Sequence, residues 1–142
     1  MVMTKKVNIF LLILVLIFIS IVFVQKNKQN VEPGKTTAKG KLVEGFPQIP
    51  TYPGSQILNS YKKEGDGKIG YEAQYISDRP GKEAIVWYRD ELNKQGWSIY
   101  DEQIEGIVGE FSFMAEKDQQ KVNVFAENEE GETEITVEFP LQ

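Results

Sequence analysis

The chain has 142 residues, with 16 Lys and Arg against 21 Asp and Glu, and it contains neither His nor Cys. Those two absences exclude Ser-His-Asp and Cys-His catalysis, zinc or haem held by His or Cys, and disulfides. The net charge of −5 argues against a nucleic-acid partner, because phosphate calls for a basic surface.

The charge divides along the chain. Residues 1–41 carry seven Lys and one acid, Glu32, for +6; residues 42–142 carry nine basic and twenty acidic residues, for −11. Such a split signals two environments. Between Lys6 and Lys26 lie 19 uncharged residues, nearly all Leu, Ile, Val or Phe, with only Asn8, Ser20 and Gln25 polar. At about 1.5 Å per residue they extend roughly 28 Å, close to the ~30 Å hydrocarbon core of a bilayer. A helix in a soluble core would show a polar stripe, and this run has none. The apolar stretch continues through Ile21, Val22, Phe23 and Val24 with no small-x-small cleavage site after it. The expectation is an uncleaved transmembrane anchor over residues 1–25, with a cleaved signal as the alternative. Lys5 and Lys6 on one side nearly balance Lys26, Lys28 and Lys35 on the other. The short N-terminal tail before one C-terminal domain instead favours a signal anchor with the domain outside the cytoplasm.

Residues 26–46 are rich in Lys, Asn, Gln, Gly and Thr and poor in apolar surface, which predicts a flexible polar linker. Gly34-Lys35-Thr36 matches the end of a phosphate-binding loop, but Gln29 occupies the place of that motif's first Gly.

The folded domain is expected over residues 47–142. Tyr52-Pro53-Gly54-Ser55 has turn chemistry. Strands follow at Gln56–Lys63 and Lys68–Ile76, the second alternating Ile69, Tyr71, Ala73 and Tyr75 against Gly70, Glu72 and Gln74. A helix over Pro80–Gln95 puts Ala84, Ile85, Tyr88 and Leu92 on one face. Ser77 or Asp78 is its expected cap, Asp90 and Lys94 an expected i,i+4 pair, and Gly96-Trp97 an expected Schellman ending. The period then changes to two. Strands are predicted at Trp97–Gln103, Ile107–Glu116, Gln120–Glu127 and Thr133–Phe139, with turns at Lys117–Gln119 and Asn128–Gly131. The fold class is α+β: an N-terminal transmembrane helix, then an antiparallel sheet in the order β-β-α-β-β-β-β with a single helix on one face.

Tyr52-Pro53-Gly54, then a hairpin, then Trp87-Tyr88, Leu92 and Gly96-Trp97 resembles a recurring pattern of small bacterial anchored or lipoprotein envelope domains, reading "YPG … fY…L…GW". These are turn and core positions. The resemblance therefore implies an envelope location and transfers no catalytic residue.

Asp101, Glu102 and Glu105 cluster in sequence, as do Glu127, Glu129, Glu130, Glu132 and Glu134. Hard cations want such oxygens, yet no D-x-[DN]-x-[DN]-G loop occurs, and the second cluster straddles a turn where charge keeps the tip solvated. Acid–base catalysis by two carboxylates needs one in an apolar pocket, and outward-facing Glu134 and Glu138 lack that setting. No catalytic, metal-ligating or cofactor-binding residue is assigned. Trp87 and Tyr100 fall off the predicted buried faces, and with Val86 and Arg89 they make the candidate interaction surface. The expected partners are the membrane, through residues 7–25, and another envelope protein. The alternative is a small-ligand or cation sensor with a pocket between helix and sheet.

Overall fold

The computed structural model describes residues 34–105 and 109–142, and the expected anchor lies outside them. Among the described residues no helix is long and apolar enough to cross a membrane. Strands β1 (Lys35–Lys39), β2 (Gln56–Gly65) and β3 (Lys68–Ser77) precede helix α1 (Gly81–Lys94). Strands β4 (Ser98–Gln103), β5 (Glu110–Lys117), β6 (Gln120–Glu129) and β7 (Glu132–Phe139) follow it. All seven strands form one sheet in the order β1-β2-β3-β7-β6-β5-β4, every neighbour antiparallel. The predicted antiparallel sheet with one packed helix is therefore present, with one strand more than expected.

The additional strand, β1, lies inside the segment read as linker. It pairs with β2 from Lys35↔Lys63 to Lys39↔Asn59. Strand pairing uses backbone groups, so a polar sequence with little to bury can still complete a sheet edge. The Gly34-Lys35-Thr36 motif consequently begins a strand, and the Lys35 ammonium lies over the Tyr61 ring at 4.5 Å. The next residues are also tied down. Val43 is buried, its N–H donates to Ser60 Oγ at 2.7 Å, and Ser60 Oγ in turn donates to the Lys41 carbonyl at 2.8 Å.

Alternation places Tyr71, Ala73 and Tyr75 of β3, Phe113 and Ala115 of β5, Val122, Val124 and Ala126 of β6, and Ile135, Val137 and Phe139 of β7 on the inner face. Ala84, Ile85, Tyr88 and Leu92 of α1 meet that face over β4–β7. Each fully buried large side chain contributes about 1.5–3 kcal/mol. Neighbouring strands are about 4.8 Å apart, so a seven-stranded sheet is roughly 29 Å wide, against about 10 Å for one helix. The remaining inner face is covered by the irregular strap of residues 40–55. Phe46 packs edge-on against Tyr71 and Phe139, each at 5.8 Å, and Tyr52 lies edge-on to Trp87 at 5.5 Å.

The helix ends as its sequence predicts: Trp97 N–H donates to the Leu92 carbonyl and Gly96 N–H to that of Asn93, both at 3.0 Å, with Gly96 at φ 86°. Its start does not. Pro80 is the cap residue, with no side-chain cap of its own, and Ser77 Oγ reaches only Arg79 N–H. The first helical N–H, on Gly81, is taken by Asn128 Oδ1 at 2.8 Å, from β6. Lys94 pairs with Glu91 at 2.6 Å, and Asp90 with Arg89 at 2.9 Å, in place of the expected Asp90–Lys94 pair.

A Cβ at Gly70 would meet the Phe139 carbonyl oxygen at 2.9 Å and Leu141 N at 3.0 Å, both backbone atoms. Gly70→Ala is expected to cost about 1–3 kcal/mol, read as a lower urea midpoint with an unchanged slope. Burial also pushes the Tyr88 hydroxyl well above the usual tyrosine range, with neighbouring Tyr75 adding to the effect, and burial raises Tyr75 itself. The folded protein thus holds these protons more tightly than the unfolded chain. That stability is complete below the ordinary tyrosine pKa of about 10 and is lost as the pH climbs above it. Absorbance titration should show the Tyr75 and Tyr88 hydroxyls ionising together with unfolding.

Candidate functional site

The strand alternation that fills the inner face also determines the outer one. Along β5, β6 and β7 the outward residues fall into rows. One row is Ser112, Phe125 and Thr136; the row beside it is Glu110, Glu127 and Glu134; the row on the other side is Met114, Asn123 and Glu138. Phe125 is 41% exposed, unusual for a phenylalanine in an inner strand of a sheet, because its cross-strand neighbours Ser112 and Thr136 are too small to cover the ring. Beside it opens a cleft of about 370 Å³ lined by Gln103, Glu110, Phe111, Ser112, Phe125 and Glu127.

Glu127 lies directly opposite Glu110 on one side and Glu134 on the other. None of the three makes an ion pair among the described residues. Like charges directly opposite one another destabilise a sheet, so this row opposes folding. Glu72 and Glu138 are also opposite, but there Lys63 pairs with Glu72 at 2.6 Å and Asn123 Nδ2 donates to Glu138 at 3.4 Å. No group of three or more acidic side chains among the described residues converges as cation ligands. Glu102 and Glu105 of the first acidic cluster are engaged by Arg89 and Lys82.

The candidate surface of Val86, Trp87, Arg89 and Tyr100 is divided between two sides of the domain. Val86, Trp87 and Arg89 are half-buried on the helix. Trp87 packs on Tyr52 and Tyr88, and Arg89 bridges Asp90 and Glu102. Tyr100 pairs with Met114, one residue out of phase with Ile99 and Ala115, and so faces away from the helix. Its row is the Met114 row that borders Phe125. Phe125 itself is legible as an aromatic at an outward position of an otherwise clean alternation. That Ser112 and Thr136 leave it uncovered depends on register, which local sequence does not give.

A second feature lies between helix and sheet. The Tyr88 hydroxyl accepts the Tyr52 N–H at 3.2 Å and so pins the strap to the helix. The Tyr75 hydroxyl nearby is the one buried side-chain polar atom among the described residues without a hydrogen-bond partner. Thr51 is close enough to interact with it but outside hydrogen-bond geometry. Tyr75 belongs to the buried core cluster, in which Tyr88, Phe113, Ile85 and Leu92 are also fully buried.

No curated protein and no solved structure matches this chain. A family model described as START domain-like matches residues 57–134, from β2 through the helix into β7. The match takes in more than half of the chain, which therefore belongs to the START domain-like family.

Proposed function

We propose that this chain is a non-enzymatic binding module of the bacterial cell envelope. It is tethered by a signal anchor through residues 7–25, holds its folded domain outside the cytoplasm, and engages another envelope protein through the open face of its sheet. The tether rests on the uncharged apolar run between Lys6 and Lys26 and on the charge split that follows it. The envelope assignment rests on the resemblance carried by Tyr52-Pro53-Gly54 and Gly96-Trp97. A binding role accords with the family, whose fold suggests ligand binding. The observation that carries the choice of surface is Phe125, exposed in the middle of a sheet face that the helix does not cover.

Photo-crosslinking residues placed at positions 112, 125 and 136 in cells should capture a discrete protein partner, and the same residues at positions 82 and 93 should not. Equal capture from both sides, or none from the sheet, would refute this reading. Protease added to intact cells should degrade the domain; full protection would refute the orientation.

The Tyr75 hydroxyl favours a second reading, in which a small amphiphile with one hydrogen-bonding group enters between helix and sheet when the strap of residues 40–55 lifts. An idle buried hydroxyl costs about 1–3 kcal/mol. Tyr75→Phe should therefore raise the melting temperature of the ligand-free protein. If the second reading holds, the wild type but not this variant should be stabilised by millimolar fatty acid in a thermal-shift assay. Identical shifts in both proteins would dismiss it.

A further inference from the structure

We infer that the open sheet face around Phe125 docks a lysine- or arginine-rich polypeptide segment with apolar side chains between its charges. This inference rests on the open face being the working surface, and it adds the chemistry of the partner.

Glu110, Glu127 and Glu134 stand in a row across three neighbouring strands, about 10 Å from first to last at ordinary strand spacing. They repel one another and have no cationic partner among the described residues. A ligand cation over this row removes the repulsion and gains attraction at once, so its charges count for more here than over an already paired carboxylate. Glu138 lies on the opposite flank of Phe125, which puts acid on both sides of the ring.

The second element is apolar. Phe125 stands above Ser112 and Thr136 with Met114 on the diagonal, an anchor point for a side chain that a bare cation does not possess. Alternate side chains of an extended peptide recur at about 6.6–6.8 Å, matching the two-residue step from Glu127 to Phe125 along β6. An extended peptide in which every second residue, the set on one side, is basic and apolar by turns (Lys-x-Val-x) therefore meets carboxylates and ring in turn. The same charges oppose an anionic lipid surface, so the face is suited to protein and not to the bilayer beside it. A metal ion is disfavoured because the carboxylates stand in a line and do not converge.

The test uses the full chain in nanodiscs of zwitterionic lipid, titrated with a labelled peptide Lys-Lys-Val-Thr-Lys-Lys-Val-Thr, one side of which reads Lys-Val-Lys-Val when extended, with empty nanodiscs subtracted. The controls are the same peptide with Glu for Lys, and spermine. The wild type should bind the basic peptide, more weakly as salt rises, and should not bind the acidic one. Phe125→Ser should weaken binding about fivefold or more. The double variant Glu127→Gln with Glu134→Gln should weaken it about tenfold or more while melting higher than the wild type, because the repulsion is relieved. A purely structural role for these residues would not move the two readouts in opposite directions.

Unchanged affinity in the double variant overturns the inference. So does spermine binding as tightly as the peptide with no dependence on Phe125, which would make the face a polycation site. Binding of the acidic peptide, or self-association lost in Phe125→Ser, overturns the cationic partner and leaves the open face as the working surface. No binding by any probe, together with no crosslinking from positions 112, 125 and 136, defeats both.

Discussion

A seven-stranded antiparallel sheet has two faces, and among the described residues there is one helix with which to cover them. Every other feature of the domain follows from that shortage. The helix is narrower than the sheet by a factor of roughly three, so it covers β4–β7 and leaves the inner face of β2 and β3 to an irregular segment. Phe46 and Tyr52 of that segment pack where a second helix would otherwise be needed. Among the described residues no helix packs on the outer face.

The strap is held by polar groups that tie distant parts of the chain together. Ser60 of β2 satisfies Val43 N–H and the Lys41 carbonyl, and Tyr88 of the helix satisfies Tyr52 N–H. Asn128 serves the helix in the same way: its Oδ1 accepts from Gly81 N–H and shares the single Thr133 hydroxyl hydrogen with the Arg79 carbonyl. Buried backbone groups must be paired, and an irregular segment cannot pair them within itself. These side chains are therefore the condition on which a loop can serve as a wall of the core. The Tyr75 hydroxyl is the exception, a buried polar atom that makes no hydrogen bond among the described residues.

The outer face shows the complementary imbalance. An exposed sheet surface is normally polar with mixed charge, and on the β1–β2 side it is: Lys35 rests on Tyr61 and Lys63 meets Glu72. On the β5–β7 side the mixing fails, with three carboxylates in line and an uncovered phenylalanine beside them. Electrostatic repulsion and exposed apolar area both oppose stability. Their coincidence in one place distinguishes this surface from ordinary solvated sheet.

The elements and their inward faces are legible in the order of residues alone. Ala84, Ile85, Tyr88 and Leu92 recur at helical spacing, and Ile135, Val137 and Phe139 at strand spacing, because burial imposes the period of the backbone on the order of residues. Gly96-Trp97 ended the helix as predicted, because that motif is closed by residues adjacent in sequence. The remaining features arise from how distant segments pack. Strand β1 was hidden because backbone pairing leaves no mark on side-chain composition. The helix cap came from Asn128, 47 residues beyond Gly81, in place of the nearby Ser77 or Asp78. The separation of Tyr100 from Val86, Trp87 and Arg89, and the alignment of Glu110, Glu127 and Glu134 beside Phe125, came from register across strands. Local sequence carries the period of each element. Which residues of different elements stand opposite one another is set by how the elements pack, and a binding face is made of such oppositions.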